Sequence, residues 1–365
     1  GDNMFTTGSF DQRGTGFLRI IGGRVDLGSF ESAFLPQEVT LQFAATSSSA
    51  AEAAGFGNLL RVTTSDGNAT RAATTVTVSV TGGTAGAADY TGAGTVTVPA
   101  GTAHGSLVSI GSGLQVVNDS MVEPDETVVL TLTAPASSGP VVAALGAQTT
   151  TTHTITNDDT ASVTLQDVSQ TEGNVGTSTM TFTATLNNAV QGGFTVNWAT
   201  VNGTATVADG DYTAASGTLT FLGIAGETHT LMVTINGDTK LEPDETFTVS
   251  MSGVSNAGVN VSDTATGTIV SDEVAGYVVD TSSTTDIPEP ATSTSFTIAL
   301  TAIPSGTVML DFASTDATEC SVSPAAITFD AANALSPQTI TISAVDDLIA
   351  DGTQPCAITI TRSGG

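Results

Sequence analysis

Basic residues are almost absent from this sequence of 365 residues. Lysine and arginine together number 7, against 36 aspartates and glutamates, and the formal net charge at neutral pH is −29. A surface of this sign repels phosphate backbones and anionic membrane surfaces, because bringing like charges together raises the free energy. The composition therefore argues against a nucleic-acid partner.

Aromatic residues and histidines are also scarce. Aromatics make up 5% of the chain, with one tryptophan and three tyrosines. A glycan-binding module, which needs an exposed aromatic platform, is therefore a weak alternative. The three histidines, His104, His153 and His229, fall in separate repeats or strand-like stretches. They predict neither a zinc triad nor a Ser-His-Asp set.

Long apolar runs are missing as well. No run approaches the roughly 18 residues of a membrane-spanning helix, so we expect no direct membrane insertion. The first residues, Gly1-Asp2-Asn3, do not begin a signal peptide. We interpret the sequence as a mature product or as part of a longer protein.

Short strand-like segments fill the chain instead. Phe247, Val249 and Met251 alternate with threonine and serine, and the same alternation surrounds Val128 and Leu130. Apolar residues at every second position, with hydroxyls between them, predict half-buried antiparallel strands. Six or seven such strands in each stretch of roughly 100 residues predict an all-β fold of tandem immunoglobulin-like antiparallel β-sandwiches. We expect Trp198, on one of these strands, to anchor a core.

The strands belong to an internal repeat. The run DYTGAGTVTV at 89–98 returns as DYTAASGTLTF at 211–221, and each run is followed by a strand-like stretch, an acidic loop and the letters EPDET. A third, more divergent copy follows in the same order. The repeat divides the chain into an N-terminal segment (1–38), two complete domains (39–159 and 160–273) and a divergent domain (274–365) that lacks a last strand.

The order of these acidic elements resembles the Calx-beta domain family. The family is known from sodium/calcium exchangers, from an integrin beta subunit and from very large bacterial surface proteins. The resemblance covers most of residues 39–365, and it implies a seven-stranded sandwich that binds calcium at one end. The carbonyl of Lys240 is a further possible oxygen ligand. The implied ligands are Glu52, Asp89, Asp119, Glu123, Glu126, Asp158 and Asp159 in the first domain, and Glu172, Asp211, Asp238, Glu242, Glu245, Asp272 and Glu273 in the second.

The chemistry of calcium supports this interpretation independently. Ca²⁺ takes six to eight hard oxygen ligands in tolerant geometry, which suits carboxylates gathered from several loops. The alternatives are a merely solvated acidic loop, or a carboxylate pair that hydrolyses glycosides. Recurrence of the same acids at equivalent places in two copies favours calcium, and we expect no enzymatic activity.

The third domain departs from the pattern. Asp286, Glu319, Asp347 and Asp351 stand at ligand positions, but Gln354 replaces a glutamate of the EPDE motif. We therefore expect no complete calcium site there. Cys320 and Cys356 replace apolar residues of the other copies, which favours a disulfide over two buried thiols. A disulfide would indicate an oxidising, extracellular location.

Two functions compete. The first is a calcium-stabilised extracellular structural or adhesive protein, in which tandem sandwiches form a rod in a bacterial surface or filament assembly. The second is a calcium-sensing regulatory module of a membrane transporter or receptor. We expect the partners to be neighbouring domains of a larger surface protein or further copies of the chain.

Residues 1–38 offer a route to self-association. They belong to no repeat, hold three of the six arginines and contain GFLRIIGGRVDLGS, an apolar stretch able to form a strand. The third domain is expected to leave an open sheet edge, which is a template for pairing with another chain. This segment is therefore a candidate donor strand for a neighbouring copy in a head-to-tail filament. The alternative is that the sequence is simply cut from a longer array.

Overall fold

Three β-sandwiches follow one another along the chain. The computed structural model describes residues 20–21 and 24–25 as backbone, and residues 36–57, 59–92, 94–288, 292–346, 352 and 354–364 in full. Within these residues there is no α-helix, and the one helical element is the 3-10 turn Glu52–Ala54. No helix in this part of the chain has the length and apolar character to cross a membrane. The all-β prediction is confirmed.

A short hairpin precedes the first sandwich. Strand β1 (Ile20–Ile21) pairs antiparallel with β2 (Arg24–Val25). Most other residues of the predicted segment 1–38 lie outside the described part of the chain. The first sandwich begins at Gln37, two residues ahead of the predicted boundary.

The first sandwich consists of a five-stranded sheet, in the order β4-β13-β11-β6-β8, and a four-stranded sheet, in the order β12-β3-β5-β9. Strands β7 and β10 pair with each other outside these two sheets. The whole first sandwich has eleven strands in its described residues. Its strands are β3 (Gln37–Phe43), β4 (Ser47–Ala51), β5 (Leu60–Thr64), β6 (Thr74–Gly83), β7 (Tyr90–Thr91), β8 (Gly94–Val98), β9 (Leu107–Val108), β10 (Gln115–Val116), β11 (Glu126–Ser137), β12 (Val141–Leu145) and β13 (Thr150–Thr156).

The second sandwich repeats this plan with sheets ordered β19-β16-β14-β21 and β15-β22-β20-β17-β18. Its strands are β14 (Ala161–Leu165), β15 (Val168–Thr171), β16 (Thr177–Leu186), β17 (Phe194–Asn202), β18 (Ser216–Phe221), β19 (Thr228–Asn236), β20 (Glu245–Ser252), β21 (Val259–Asn260) and β22 (Thr264–Val270).

The third sandwich is smaller, with sheets ordered β23-β24-β28-β26 and β27-β25-β29. Its strands are β23 (Tyr277–Asp280), β24 (Ser293–Leu300), β25 (Val308–Ser314), β26 (Cys320–Ser323), β27 (Ala326–Phe329), β28 (Gln338–Ala344) and β29 (Ile358–Gly364).

Alternating side chains build the cores. In β20 the apolar residues Phe247, Val249 and Met251 are buried, while the hydroxyl residues between them are only half-buried. In β11 the residues Val128 and Leu130 are fully buried in the same way. Side chains of a strand point alternately to its two faces, so each sheet turns its apolar face to the other. Trp198 is half-buried and packs against the second core.

Contacts between residues divide the described part of the chain into two compact units. Residues up to Asp119 join Glu123–Asp159 in the first unit, and those from Thr160 onward form the second. The second unit thus contains the second and third sandwiches together. It also includes Ser120–Val122, and Val122 is buried in the core of the second sandwich.

Candidate metal centre

Strand ends bring three acids of the first sandwich together. Glu52 lies in the 3-10 turn after β4, Asp119 lies in the loop before β11, and Asp159 follows the end of β13. Strands β4 and β13 run parallel and adjacent, so their carboxyl ends meet at one edge. One carboxylate oxygen from each of the three acids lies within 4.8 Å of the others.

Charge–charge interactions connect all seven acids predicted in the first sandwich. Burial raises the pKa of Glu123 to about 7, and the charges of Asp89, Asp119, Glu126 and Glu52 raise it further. Burial also raises the pKa of Glu52, which is 6% exposed, and Asp119, Asp159 and Asp158 add to that rise. The pKa of Asp159 is raised by burial, Asp158 and Asp119. The charged neighbours that raise the pKa values of Glu52, Glu123 and Asp159 are all carboxylates.

One oxygen of Asp159 indicates what kind of ligand the cluster fits. Its Oδ2 atom is enclosed and has no hydrogen-bond donor among the described residues. An enclosed anionic acceptor without a donor is costly, unless a cation or a proton neutralises it. Hard anionic oxygens within 4.8 Å of one another form the donor set that Ca²⁺ prefers, so the residues present fit this ion.

The second sandwich holds two such groups. Glu172, Asp272 and Glu273 form one group, and Asp211, Glu242 and Glu245 form the other; in each, carboxylate oxygens lie within 4.8 Å of one another. The first group has the same origin as that of the first sandwich, because β15 and β22 are parallel neighbours that end at Thr171 and Val270.

Hydrogen bonds hold the first of these groups in place. The Gly173 N–H donates to Asp272 Oδ1 at 3.0 Å, and the Asn174 amide donates to Glu273 Oε1 at 3.0 Å. The Ser271 hydroxyl donates to the other oxygen of Glu273 at 3.0 Å. In the second group, the Thr206 N–H donates to Asp211 at 2.6 Å. The carboxylates therefore point to fixed places before any ion binds.

Burial and repulsion act on both groups. Glu172 is 8% exposed, and burial raises its pKa to about 8 with help from Glu273, Asp238 and Glu242. Burial, Asp211 and Glu242 raise the pKa of Glu245 to about 7. The charge of Asp238 thus acts on Glu172 in one group, and its carboxylate accepts the Lys240 N–H at 2.6 Å. Together the two groups and Asp238 account for all seven acids predicted in this sandwich.

Lys240 distinguishes the second sandwich from the first. Its ammonium pairs with Glu242, and this hydrogen bond is the main cause of its raised pKa. The charge of Lys240 also opposes the rise in the pKa of Glu245 that burial, Asp211 and Glu242 cause. In the first sandwich the equivalent residue is Met121, three positions before Pro124 as Lys240 is before Pro243. The sequence predicted only a carbonyl ligand at Lys240, so the role of its side chain was missed.

The aspartate of each EPDE motif has a separate task. The Asn157 N–H donates to Asp125 Oδ1 at 3.1 Å, and the Ser271 N–H donates to Asp244 Oδ1 at 3.2 Å. Asn157 also accepts the Glu123 N–H at 3.0 Å. These contacts tie the acidic loop to the segment that carries the terminal acids. The sequence contained one indication of this role. The aspartate of the motif recurs in both copies, as Asp125 and Asp244, which suggests that it has a function of its own.

The third sandwich presents a groove where the other two have acidic groups. Asp286, Glu319 and Gln354 line it, whereas Asp347 and Asp351 lie outside the described residues. Cys320 and Cys356 form a disulfide with a Cα–Cα distance of 6.1 Å.

The histidines serve separate local structures. His153 is buried, and its Nδ1 lies 2.8 Å from the Ser48 hydroxyl. His104 Nδ1 accepts the Thr64 N–H at 3.1 Å. His229 pairs with Glu227 at 2.9 Å.

Comparison with known proteins agrees with this architecture. The Calx-beta domain model matches twice, over residues 36–160 and 156–273. None of the curated proteins compared with this chain matches it.

The solved structures that are similar to this chain include three of Calx domains. The apo-form Calx CBD1 domain is 18% identical, with a TM-score of 0.28, and the match covers 32% of this chain and 100% of that one. CBD12 from CALX1.2 is 20% identical, with a TM-score of 0.26 and coverage of 63% and 99%. The calcium-binding domain CBD12 of CALX1.1 is 18% identical, with a TM-score of 0.28 and coverage of 62% and 98%. Because the two family matches together span residues 36–273, more than half of the sequence, this chain belongs to the Calx-beta family and carries calcium-binding domains of that family in tandem.

Proposed function

We propose that this chain is a structural segment of an extracellular bacterial surface or filament assembly, in which calcium stiffens the tandem sandwiches and supports adhesion. The observation that carries the proposal is in the second unit, where one loop both supplies metal-site acids and holds the next sandwich. This loop lies between β19 and β20 and contains Asp238 and Glu242, and Glu245 is the first residue of β20 directly after it.

Backbone pairing connects this loop to the third sandwich. The Leu241 N–H donates to the Ile303 carbonyl at 2.8 Å, and the Ile303 N–H donates to the Thr239 carbonyl at 2.7 Å. The pairing residues therefore lie directly between Asp238 and Glu242 in sequence. A cation held by these acids would restrict the same short loop that bonds Ile303, and so would oppose bending at this position.

The disulfide supports an extracellular location. Bonds such as Cys320–Cys356 persist in oxidising compartments and are rare in the cytosol. We also infer that the chain is not an enzyme. The acids with raised pKa values in the first two sandwiches sit together as a metal donor set, which explains them without a catalytic role.

Calorimetry tests the calcium requirement. We expect calcium to raise the melting temperature, because an ion that binds only the folded state stabilises it by about 2.7 kcal/mol when present at 100 times its Kd. Removing Glu242 and Glu245 together, as Glu242→Gln with Glu245→Gln, should abolish most of this shift for the second sandwich. Glu38→Gln removes an exposed acid outside the clusters and should leave the shift unchanged. A melting temperature indifferent to chelator would contradict the proposal.

X-ray scattering separates the structural function from a sensor. A stiffening role predicts that the chain keeps one set of dimensions across the millimolar calcium range of an extracellular site, and becomes variable only on chelation. A regulatory sensor instead predicts a reversible change between two defined forms at micromolar calcium. The second result would favour the regulatory alternative.

A further inference from the structure

Asn157 lies between the two segments that bring acids to the cluster of the first sandwich. Strand β13 ends at Thr156, which pairs with Ala51 at the end of the parallel strand β4. Asn157 follows directly, beside the strand end that leads into Glu52, and it is half-buried. The sheet therefore fixes the backbone from which the side chain of Asn157 extends.

The side-chain amide of Asn157 uses both of its ends. Its Oδ1 atom accepts the Glu123 N–H at 3.0 Å, and its Nδ2 atom donates to the Asp159 carbonyl at 3.0 Å. The backbone N–H of the same residue donates to Asp125 Oδ1 at 3.1 Å. One residue thus bonds twice to the acidic loop that precedes β11 and once to the segment of the terminal acids.

The two segments that Asn157 joins repel each other while their acids are ionised. The acidic loop carries Asp119, and the terminal segment carries Asp159; carboxylate oxygens of these two acids and Glu52 lie within 4.8 Å of one another. The charge of Asp119 is one cause of the raised pKa of Asp159. Like charges this close favour a loop that moves away from the strand end. A neutral amide that bonds both segments opposes this movement without adding charge.

The second sandwich has a different residue at this position. Ser271 follows β22 as Asn157 follows β13, and its N–H also donates to the aspartate of the motif, Asp244. Its hydroxyl, however, donates to Glu273 Oε2 at 3.0 Å and so occupies a carboxylate oxygen. The two hydrogen bonds of the asparagine side chain go to backbone groups and occupy no carboxylate oxygen.

We propose that Asn157 is a positioning residue for calcium in the first sandwich, where it holds the acidic loop at Glu123 against the terminal segment at Asp159. The inference rests on calcium binding by this sandwich. Asn157 acts through the backbone of the acids, so that carboxylates from both segments are gathered before an ion binds and less ordering is left for the binding step. Removing a group that orients metal ligands typically weakens metal binding by about 10- to 100-fold.

A calcium titration of the full chain, followed by residue-resolved NMR, tests the proposal. The backbone amide signals of Glu52 and Asp119 report on the first sandwich, and those of Glu172 and Glu273 in the second sandwich are the internal control. Asn157→Ala should raise the Kd measured at the first pair of signals by about tenfold. The Kd measured at the second pair should stay unchanged.

The first sandwich also offers a matched control variant. The Asn68 side-chain amide donates to the Asp66 carbonyl at 3.2 Å, outside the acid cluster. Asn68→Ala therefore removes a hydrogen bond of the same kind from the same sandwich. It should leave the Kd at both pairs of signals unchanged.

A second measurement separates positioning from support of the fold. Hydrogen exchange of the Val128 and Leu130 amides, in the core strand β11, reports the stability of the first sandwich in calcium and in chelator. A residue that only supports the fold would lower protection equally in both. Asn157→Ala should lower protection more in calcium than in chelator, because without an ion the broken link also lets repelling carboxylates separate.

Two outcomes would overturn the proposal while calcium binding stands. One is an equal Kd in the first sandwich for the wild-type chain and Asn157→Ala, and the other is an equal loss of protection in calcium and in chelator. A wild-type chain whose first-sandwich signals do not respond to calcium would overturn the calcium function as well. If Asn157→Ala fails to fold, Asn157→Ser, which introduces the residue found at 271, removes the same amide and should raise the Kd in the same direction; an unchanged Kd would again refute the proposal.

Discussion

Acids within one motif differ in what they do once their neighbours are in place. In the run Glu242-Pro243-Asp244-Glu245, the two glutamates join the carboxylate group of Asp211, whereas Asp244 accepts the Ser271 N–H at 3.2 Å. The same division applies to Asp125, which accepts the Asn157 N–H. The motif therefore combines acids of the metal site with an aspartate that holds a neighbouring segment. Losing the hydrogen bond at Asp244 should displace Asp272 and Glu273, which directly follow Ser271.

The raised pKa values predict the pH dependence of stability in the metal-free protein. Glu123, Glu172 and Glu245 have pKa values of about 7, 8 and 7 in the folded state, above the value of 4.5 for an unperturbed glutamate. The folded state thus binds protons more tightly than the unfolded state. The resulting stabilisation is complete below about pH 4.5, and it is lost as the pH rises through about 7 to 8.

Denaturant titrations of metal-free protein between pH 5 and 8 measure this effect. We expect the midpoint concentration to fall with rising pH, and calcium to remove or reverse the fall because it stabilises the ionised carboxylates. Glu172→Gln should flatten the metal-free profile. A midpoint that rises over this range without calcium would contradict the assignment.

Lys240 should weaken calcium binding in the second sandwich. Its ammonium already neutralises Glu242, so an incoming cation must compete with it. The Lys240 side chain is 40% exposed and that of Glu242 is 14% exposed. An ion pair at a protein surface is worth at most about 1 kcal/mol, so Lys240→Met should raise calcium affinity by up to about fivefold. Isothermal titration calorimetry would measure the change, and Lys240→Arg, which keeps the charge, is the matched control. An unchanged affinity in Lys240→Met would show that the ammonium does not compete.

Side chains that lie opposite each other on neighbouring strands are complementary in size. Gly267 on β22 lies opposite Phe247 on β20, and a Cβ atom at Gly267 would approach Phe247 Cζ to 2.5 Å and Phe182 Cζ to 2.9 Å. The absence of a side chain at Gly267 thus makes room for two rings whose centroids are 5.9 Å apart. In the first sandwich, where Val128 replaces the phenylalanine, His153 fits on the opposite strand.

This fit predicts a non-additive pair of substitutions. Gly267→Ala should destabilise the second sandwich by about 1–3 kcal/mol through overpacking. Phe247→Val alone should also destabilise it, because it leaves a cavity. Together they should cost less than the sum of the two, since the added methyl group enters the vacated space. Chemical denaturation of the two single variants and the double variant measures the coupling; strict additivity would contradict it.

The disulfide acts on the third sandwich at the level of strands. It joins Cys320 at the start of β26 to Cys356 just before β29, across 36 residues. Restricting a loop of this length in the unfolded chain contributes up to about 4 kcal/mol in the chain-entropy model. The bond therefore also fixes the start of β29, which pairs antiparallel with β25.

Across the whole molecule, negative charge opposes the compact state. The net charge is −29, and the acids of the first two sandwiches are gathered into clusters rather than spread evenly. Folding therefore concentrates like charges that the unfolded chain keeps apart. Cations relieve this repulsion either by binding at the clusters or by screening.

Salt should thus partly replace calcium. In chelator, we expect the melting temperature to rise as sodium chloride increases from about 0.01 M to 1 M, because the screening length falls from about 30 Å to 3 Å. With calcium bound, the rise should be smaller, since the clustered charges are already neutralised. Scanning calorimetry over the two salt series measures the difference, with choline chloride as a control for specific sodium binding. A larger salt effect in the presence of calcium would be inconsistent with charge repulsion.

Periodicity was sufficient for the fold class, and the repeated motif together with the resemblance to the Calx-beta family indicated the candidate acids. The alternation of apolar residues around Phe247 predicts a strand with one buried face. The second EPDET motif shows that the same acids occur at the same place in two repeats. Both patterns lie within short stretches of the chain, so the sequence alone is enough to recognise them.

The grouping of acids, in contrast, depends on which strands become neighbours. Parallel pairing of β15 with β22 places Glu172 beside residues about 100 positions later in the chain, and no local pattern encodes that distance. The ion pair between Lys240 and Glu242 and the hydrogen bond from the Ser271 N–H to Asp244 likewise form only after the loops have packed. Burial then raises the pKa values of these glutamates, because desolvation is a property of the assembled surroundings and not of the residue itself.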